Sequence, residues 1–592
     1  MAKKLLMGNE AIGLGAIRAG VSVVTGYPGT PSTEVLETVS KNNDGSIHVE
    51  WSTNEKSALE VAAGASYTGA RVMVTMKQVG LNVASDPLMS LNYIGVKGGM
   101  VIVVADDPGP ISSQTEQDTR HFGKFAKIAV FDPSNAEEAY LMIGKAFEYS
   151  EKYHRPVIFR PTTRVCHSCA PVELLEKINI PKPEGFIKDS KWVIFPRLTY
   201  LNHIKLEEDL KQMSVDFCDY ERNFTKGKGK KGIASGGGSY AYVKEALKGI
   251  DESEYNLLKI STYPVPEKIC VDFLNSVDEV LVVEELDPVI EKELIYLCGL
   301  YNIKVTIKGK LTGDIPNAGE NSVDNIVSVV YKYLNKKLPE KENLELPQLP
   351  VRPPVLCAGC PHRASFFAVK EATKGMKAVY SGDIGCYTLG NAKPLDMVDT
   401  CLCMGAGITV AQGIHIVEPD TLNFAFIGDS TFFHTGLQGI INAVYNETDI
   451  IVVILDNLTT AMTGSQPHPG TGKTMMNGIS QKISIEAMVK AMNVDKVVKA
   501  NPFNADEAQD AVNSVINEKG VRVIIFQAPC IVVHKGKDKC TISTDKCTGC
   551  KMCINKLGCP AISFNNKKAQ INPTLCTGCG ICKSVCKFSA IQ

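Results

Sequence analysis

Two apolar runs decide how this chain folds: TLNFAFIGDS at residues 421–430 and DIIVVILDN at residues 449–457. Both are short and rich in apolar side chains, and neither alternates regularly between apolar and polar positions. Such runs predict strands that are buried on both faces, as in a parallel sheet. A carboxylate or an amide stands at the end of each run, where the ligand sites of α/β sheets usually lie.

The same pattern recurs along most of the chain, with small-residue helical stretches such as residues 54–70 between the runs. We therefore expect an α/β fold with several doubly wound parallel-sheet domains. Breaks in composition at residues 181–197 and 336–356, and a change to cysteine-rich sequence near Lys535, predict four segments. The predicted segments are 1–185, 186–340, 341–535 and 536–592.

The 592-residue chain has a formal net charge of -1 and 44% hydrophobic residues. This composition excludes a disordered or fibrous protein and gives no reason to expect nucleic acid or an anionic membrane as a partner. No apolar run reaches the roughly 18 residues that a membrane span needs. Asn9 and Glu10 interrupt the apolar stretch at the start, so we interpret it as mature sequence and expect a cytoplasmic protein.

Nine of the 20 cysteines lie in the last 53 residues, which favours metal ligation over disulfides in a chain without an export signal. One run has C-x2-C-x2-C spacing followed later by Cys-Pro, and the next has C-x2-C-x2-C-x3-C spacing. This duplication resembles two-cluster bacterial ferredoxins, whose [4Fe–4S] clusters each take one cysteine from the other run. The resemblance implies a small ferredoxin-like α+β module with two ligand sets: Cys547, Cys550, Cys553 and Cys586 for the first cluster, and Cys559, Cys576, Cys579 and Cys582 for the second.

Two features depart from the ferredoxin pattern. Five residues instead of three separate Cys553 from Cys559, and Lys587 stands where a proline usually follows the last cysteine. A zinc site is the alternative, but zinc ribbons pair two C-x2-C knuckles and do not use the triple spacing. We therefore expect iron–sulfur clusters.

Polar residues at the ends of the two opening runs form a candidate metal site. Hard oxygen ligands from neighbouring strand ends suit Mg²⁺, and the helix that follows would offer its N-terminus to a diphosphate. The alternative is an ordinary strand–turn–helix with capping aspartates. Together the residues resemble the thiamine diphosphate motif, which opens with Gly-Asp and closes with Asn. The resemblance implies that Asp429, Asn457 and the carbonyl of Thr459 bind Mg²⁺, with Gly428 and Ser430 beside the diphosphate.

The loop LDNLTTAMTGSQPHPG (455–470) is similar to that of 2-oxoacid:ferredoxin oxidoreductases, most closely their indolepyruvate branch. In this family a glutamate stabilises the pyrimidine of thiamine, and Glu55, at the start of a small-residue helix, matches it. Glu50 and Glu60 are competitors, and Glu55 also fits a first-turn carboxylate that the helix dipole favours. His468 is interpreted as a loop histidine and not as a catalytic base.

The turn GYPGTPSTE (26–34) resembles the substrate-facing turn of the same family. The resemblance implies that Thr30 contacts the 2-oxoacid, while the alternative is that Thr30 caps the following helix. We expect Lys77, Asp118 and Arg120 to line the same cleft.

A third group of cysteines lies outside the tail, with a C-x2-C pair, a Gly-Cys and a distant Pro-Cys. The group resembles the proximal [4Fe–4S] site of related oxidoreductases, and the alternative is that these thiols are small buried apolar groups. Cys401 and Cys403 are predicted to lie in the core. The members of the third group are Cys357, Cys360, Cys386 and Cys530.

The resemblance implies oxidative decarboxylation of an arylpyruvate with coenzyme A, with electrons passed through the clusters to ferredoxin. It also implies thiamine diphosphate, Mg²⁺, a smaller β subunit and a homodimer of such heterodimers. The alternatives are the same chemistry on another 2-oxoacid such as pyruvate, a non-redox thiamine enzyme, and an electron-transfer subunit without its own active site. The paired metal-site residues, Glu55 and the tail cysteines argue against the last two.

Overall fold

The computed structural model describes residues 3–339, 347–476, 478–534, 536 and 538–592. The chain divides into two compact units, Met1–Glu345 and Leu346–Gln592. The predicted boundary between residues 340 and 341 lies outside the described residues, as does Lys535 at the last predicted boundary. In the described part of the chain, none of the helices has the length and apolarity needed to span a bilayer.

Fourteen strands build the sheets of the first unit. They are β1 Lys3–Met7, β2 Val23–Gly26, β3 His48–Trp51, β4 Val72–Lys77, β5 Met100–Ala105, β6 Val130–Phe131, β7 Val157–Phe159, β8 Cys169–Glu173, β9 Phe224–Gly227, β10 Lys231–Gly236, β11 Asn256–Ile260, β12 Thr262–Tyr263, β13 Glu279–Val283 and β14 Thr306–Lys308.

Helices separate most of these strands, as the alternating pattern predicts. They are α1 Gly8–Arg18, α2 Thr33–Lys41, α3 Glu55–Tyr67, α4 Gln78–Val83, α5 Ser85–Ile94, α6 Arg120–Ala126, α7 Ala136–Tyr153, α8 Thr163–His167, α9 Pro196–Asp216, α10 Gly237–Ala246, α11 Glu267–Ser276, α12 Val289–Tyr301 and α13 Val323–Tyr333, with a 3₁₀ turn at Ser190–Trp192.

The first unit contains a seven-stranded sheet in the order β12-β6-β7-β5-β4-β2-β3 and a five-stranded sheet in the order β14-β13-β10-β11-β9. Within these two sheets all pairings are parallel except those of the edge strands β12 and β9, and β1 and β8 form a separate antiparallel pair. Strand β12 belongs to the segment predicted as 186–340, yet it completes the sheet of the first segment. One apolar core, which includes Ile102 and Leu258, also spans both segments.

The second unit has one five-stranded parallel sheet and a small cysteine-rich module. Its elements are α14 Pro361–Ala372, β15 Ala378–Ser381, α15 Ala406–Val417, β16 Leu422–Gly428, α16 Asp429–Thr431, α17 Leu437–Tyr445, β17 Ile450–Asp456, α18 Ile485–Ala491, β18 Lys496–Ala500, α19 Ala505–Ile516, β19 Val521–Gln527, α20 Met552–Asn555, β20 Ile562–Asn565, β21 Lys568–Ile571 and α21 Ile581–Val585. Turns of 3₁₀ helix lie at Cys386–Asn391, Ala461–Thr463 and Pro469–Thr471, and a π-helical turn at Phe432–Gly436 joins α16 to α17.

The two runs that open the sequence become β16 and β17, which are parallel neighbours with Gly428 opposite Leu455. Sheet order is β15-β16-β17-β19-β18, so the predicted parallel α/β fold is confirmed. The tail folds as the antiparallel hairpin β20–β21 with two short helices, which is the expected α+β module.

Candidate active site and cysteine clusters

The carboxyl ends of β16 and β17 bring the predicted metal ligands together. Asp429 and Asn457 follow these strands directly, and both side chains are buried, as is Thr459. Leu458 adopts a left-handed backbone conformation with a φ of 64°, which turns the chain sharply between Asn457 and Thr459. The amide of Thr459 then donates to Asn457 Oδ1 at 3.1 Å. In the described part of the chain, no donor reaches the carbonyl oxygen of Thr459.

A glycine is required where the helix starts after β16. A Cβ on Gly428 would lie 2.7 Å from the ring of Tyr387. The helix begins at Asp429, and the amide of Ser430 donates to Asp429 Oδ1 at 2.9 Å. Ser430 also accepts a hydrogen bond from Thr460, at 3.0 Å between the two hydroxyl oxygens, which ties the helix start to the loop after β17.

Two buried histidines contact the candidate Mg²⁺ ligands. His468 Nε2 lies 3.0 Å from Asp429 Oδ2, so this residue is part of the site and not merely a loop histidine. The side-chain amide nitrogen of Asn457, Nδ2, donates a hydrogen bond to His362 Nε2 at 3.2 Å. Burial lowers the pKa of His362 to about 4, so its ring is neutral and can accept this bond. Its Nδ1 atom has no hydrogen-bond partner among the described residues.

The electrostatics of this strand edge favour a cation. Burial, and then the neighbouring carboxylate of Asp429, raise the pKa of Asp456 to about 6. Two buried carboxylates side by side repel each other, and a divalent cation relieves that repulsion. The oxygen atoms of Asp429, Asn457 and Thr459 therefore fit Mg²⁺, which prefers hard oxygen ligands.

The predicted glutamate of the first unit lies in a tight pocket. Glu55 begins α3 after the N-cap Asn54, and its side chain is buried. A Cβ on Gly80 would lie 2.6 Å from Glu55 Oε1, so the carboxylate requires a glycine there. The competitors are more exposed: Glu50 binds His48 and Ser52, and Glu60 pairs with Lys56.

Lys77 and the turn of Thr30 lie beside this pocket. Burial lowers the pKa of Lys77, while the negative charges of Glu55 and Asp107 oppose the shift. The Lys77 chain packs against Gly29, where a Cβ would lie 3.2 Å from Lys77 Cγ. The structure thus brings Glu55, Lys77 and the turn together. Thr30 is not the helix cap, because α2 begins at Thr33 with Ser32 in the N-cap position.

The expectation that Asp118 and Arg120 line an open cleft is wrong. Both side chains are buried, and the Arg120 guanidinium binds Asp118, Glu284 at 2.7 Å and the carbonyl of Asp287 at 2.9 Å. The guanidinium holds the pKa of Asp118 well below its usual range. This network joins the seven-stranded and five-stranded sheets of the first unit. It leaves few N–H groups of the Arg120 guanidinium to bind a substrate.

The tail cysteines surround two cavities. One small cavity is lined by the first predicted set, Cys547, Cys550, Cys553 and Cys586. A second small cavity is lined by Cys559, Cys576, Cys579 and Cys582. The structure therefore assembles both sets with the exchange of one cysteine between the runs. It also adds Cys540 to the second cavity, a residue that no spacing motif indicates.

The third set lies beside Asp429, Asn457 and Thr459, which follow β16 and β17 and are called the strand-end site from here on. The Cys530 amide donates to the carbonyl of Asn457 at 3.0 Å, which places the set directly beside the candidate metal ligands. Burial raises the pKa of Cys386 to about 11, with further contributions from the nearby Cys530 and Cys357. The C-x2-C turn is closed by a hydrogen bond from the Cys360 amide to the Cys357 carbonyl at 3.3 Å.

Arg363 connects the third set with the second tail cavity. Its guanidinium donates to the carbonyls of Leu356 at 2.5 Å and Leu557 at 2.6 Å. Burial lowers the pKa of Arg363, and thiolates of both groups, Cys559 first, oppose the shift.

The prediction that Cys401 and Cys403 lie in the core is wrong, because both are exposed.

Comparison with known families identifies the modules. The pyruvate flavodoxin/ferredoxin oxidoreductase family (thiamine diP-bdg) matches residues 14–192, and the C-terminal TPP binding domain of thiamine pyrophosphate enzymes matches residues 383–526. A 4Fe-4S binding domain matches residues 569–592.

Curated relatives match almost the whole chain. The indolepyruvate oxidoreductase subunit IorA of Pyrococcus horikoshii is 40% identical over 95% of this chain and 92% of its own length. The corresponding protein of Archaeoglobus fulgidus is 40% identical over 95% of this chain and 93% of its own. A solved 2-oxoglutarate:ferredoxin oxidoreductase from Magnetococcus marinus is more distant, with 20% identity over 56% of this chain and 65% of its own, and a TM-score of 0.45. The chain thus belongs to the IorA family of indolepyruvate oxidoreductase subunits, and it is a thiamine-diphosphate-dependent 2-oxoacid:ferredoxin oxidoreductase.

Proposed function

We propose that this chain, with a smaller β subunit, oxidatively decarboxylates arylpyruvates of the indolepyruvate type. One 2-oxoacid, one coenzyme A and two oxidised ferredoxins would give one aryl-acetyl-CoA, one CO₂, one proton and two reduced ferredoxins. The names of the curated relatives support the aryl substrate. The observation that carries the redox part is the hydrogen bond from the Cys530 amide to Asn457, because it joins a candidate cluster ligand to the cofactor loop.

Thiamine diphosphate, when bound, supplies the carbanion chemistry that releases CO₂ from a 2-oxoacid. Asp429, Asn457 and the Thr459 carbonyl would hold its Mg²⁺, and His468 positions the Asp429 carboxylate. Glu55 would hold a proton at N1′ of the pyrimidine. Thr30, on the turn beside Lys77, would contact the 2-oxoacid.

Three [4Fe–4S] clusters would carry the electrons. The two tail sets and the third set, Cys357, Cys360, Cys386 and Cys530, supply four thiolates each. A zinc interpretation has little support, since thiolates around zinc are about 3.8 Å apart. In the described residues, no three cysteine sulfurs lie within 4.8 Å of one another. Arg363, between the third set and the second tail set, supports a path that leads from the cofactor loop to the tail.

The proposed assembly is a homodimer of heterodimers in the cytoplasm. Its β subunit, ferredoxin and coenzyme A remain proposed partners, as do the four functional segments: pyrimidine domain 1–185, middle domain 186–340, diphosphate domain 341–535 and ferredoxin-like domain 536–592. The second candidate function is the same chemistry on another 2-oxoacid such as pyruvate.

A substrate panel tests this proposal. The complex is purified anaerobically with its partner subunit and assayed for viologen reduction with indolepyruvate, phenylpyruvate, pyruvate and 2-oxoglutarate. Each assay is run with and without coenzyme A. We expect the aryl substrates to have the highest kcat/KM and to require coenzyme A. A preference for pyruvate would contradict the aryl assignment, and turnover without any acceptor would contradict the redox assignment.

A further inference from the structure

The second tail cavity is lined by five thiols, one more than a [4Fe–4S] cluster needs. Cys540 is 5% exposed and lines this cavity together with Cys559, Cys576, Cys579 and Cys582. The first tail cavity is lined by four cysteines and, within the described residues, by no fifth. The two sites therefore differ by one buried thiol.

The backbone on both sides of Cys540 is fixed by hydrogen bonds, and it lies against the second cysteine run, residues 576–586. Thr541 and Gln592 exchange two backbone hydrogen bonds of 3.0 and 2.9 Å, which fix the chain just after Cys540. On the other side, Lys539 donates to the carbonyl of Pro573. Gly578, at a φ of 76°, lies so close to the carbonyl of Asp538 that any side chain would overlap it.

Cys540 and Cys582 line the same cavity wall and lie near each other. Burial, and then this neighbouring thiol, raise the pKa of Cys582. Once Cys582 is bound to iron as a thiolate, a neighbouring thiol can donate a hydrogen bond to its sulfur, and such bonds tune the reduction potential of a cluster. The same thiol needs only to lose its proton and rotate toward the iron to become a ligand itself.

We propose that Cys540 is a reserve ligand of the second cluster, which hydrogen-bonds the Cys582 sulfur and binds the iron in its place when Cys582 is unavailable. The exchange breaks the Fe–S bond of Cys582, forms one to Cys540 and passes the Cys540 proton to the released Cys582 sulfur, or to solvent where Cys582 is absent, with no change of oxidation state. This inference rests on the proposed second cluster.

Iron analysis of the anaerobically purified complex tests it. The Cys582→Ala variant should keep the iron content of the unmodified chain, whereas Cys540→Ala/Cys582→Ala should lose about four irons per chain. The matched control is Cys553→Ala in the first set, which has no fifth thiol and should also lose about four. Loss of about four irons in Cys582→Ala alone would overturn the proposal. Full iron in the Cys553→Ala control would instead overturn the ligand assignment on which the proposed clusters rest.

A second measurement does not depend on the folding of a ligand variant. In Cys540→Ala the iron content should stay unchanged, and one EPR-monitored reduction potential should become more negative, because a hydrogen bond to the cluster sulfur is lost. The potentials of the other clusters should not move. Loss of iron in this variant, or three unchanged potentials, would overturn the proposal.

Discussion

The tail cysteines and the strand-end site of the second unit are assembled in different ways. In the tail, three cysteines of each set are separated by two residues within one run, the fourth comes from the other run, and Cys540 adds a fifth thiol to the second cavity. At the strand-end site, the side chains come from separate loops between His362 and Cys530, each at the end of a different strand or helix. We propose that the second tail site can replace a lost ligand, whereas the first tail site and the strand-end site have no neighbouring thiol that is proposed to supply one.

The largest effect that tests this contrast is expected for Cys386→Ala. The variant should lose about four irons, and substrate-driven viologen reduction should fall to background, while thiamine binding persists. Cys401→Ala is the matched control, because Cys401 lies 15 residues away along the same stretch but is exposed. If Cys386→Ala retains all its iron and its activity, the third cluster does not exist.

The next largest effect is expected for Glu55→Gln. The amide keeps the shape of the side chain in the pocket beside Gly80, so folding and cofactor binding should be retained. Turnover should fall by about 10²- to 10⁴-fold, which is the usual contribution of a proton-transfer residue. Glu60→Gln, on the same helix but exposed, should behave as the unmodified chain does. Full activity of Glu55→Gln would remove this carboxylate from the mechanism.

Asp429→Ala should weaken thiamine diphosphate binding by at least about 100-fold, as measured by calorimetry in the presence of Mg²⁺. The iron content should not change, because Asp429 is not a cluster ligand. The exposed Asp420, which precedes the same strand, supplies the control Asp420→Ala. Unchanged affinity in Asp429→Ala would place the metal elsewhere.

The smallest effect concerns Asp383, which is buried at the end of β15 and accepts the amide of Ile384 at 2.6 Å. Burial raises its pKa to about 7, so the folded protein binds this proton more tightly than the unfolded chain. The stabilisation is therefore complete below the unfolded pKa near 4 and is lost as the pH rises through 7, by at most about 1.4 kcal/mol per pH unit. Asp383→Asn should flatten the fall of the melting temperature between pH 5 and pH 7, and an unchanged slope would contradict the assignment.

The same contrast, between sites built within short stretches and sites assembled from distant positions, decides what could be predicted from the sequence. The parallel strands are encoded within short apolar runs, and the resemblances to the thiamine diphosphate and ferredoxin motifs imply Asp429 with Asn457 and both tail ligand sets. The resemblance favours Glu55 over the competitors Glu50 and Glu60, and the burial of the Glu55 side chain agrees with that choice.

The rest depends on contacts between distant positions. His362 lies 95 residues before Asn457 in the chain, and no pattern indicates that the two touch. His468 has the surroundings of an ordinary loop residue until the fold brings it to Asp429. Asp118 and Arg120 are expected from the sequence to line the cleft, but Arg120 pairs with Glu284, 164 residues away in the chain, and no local pattern indicates this contact.

We propose that the thiamine site delivers electrons to the tail clusters through the third cysteine set. The most direct test of this proposal is rapid-freeze EPR of the anaerobic complex after addition of indolepyruvate and coenzyme A without ferredoxin. The unmodified complex should show reduced tail clusters within one turnover, and Cys386→Ala, loaded with thiamine diphosphate, should show none although dithionite still reduces its tail. Tail clusters reduced by substrate at the normal rate in Cys386→Ala would contradict the account.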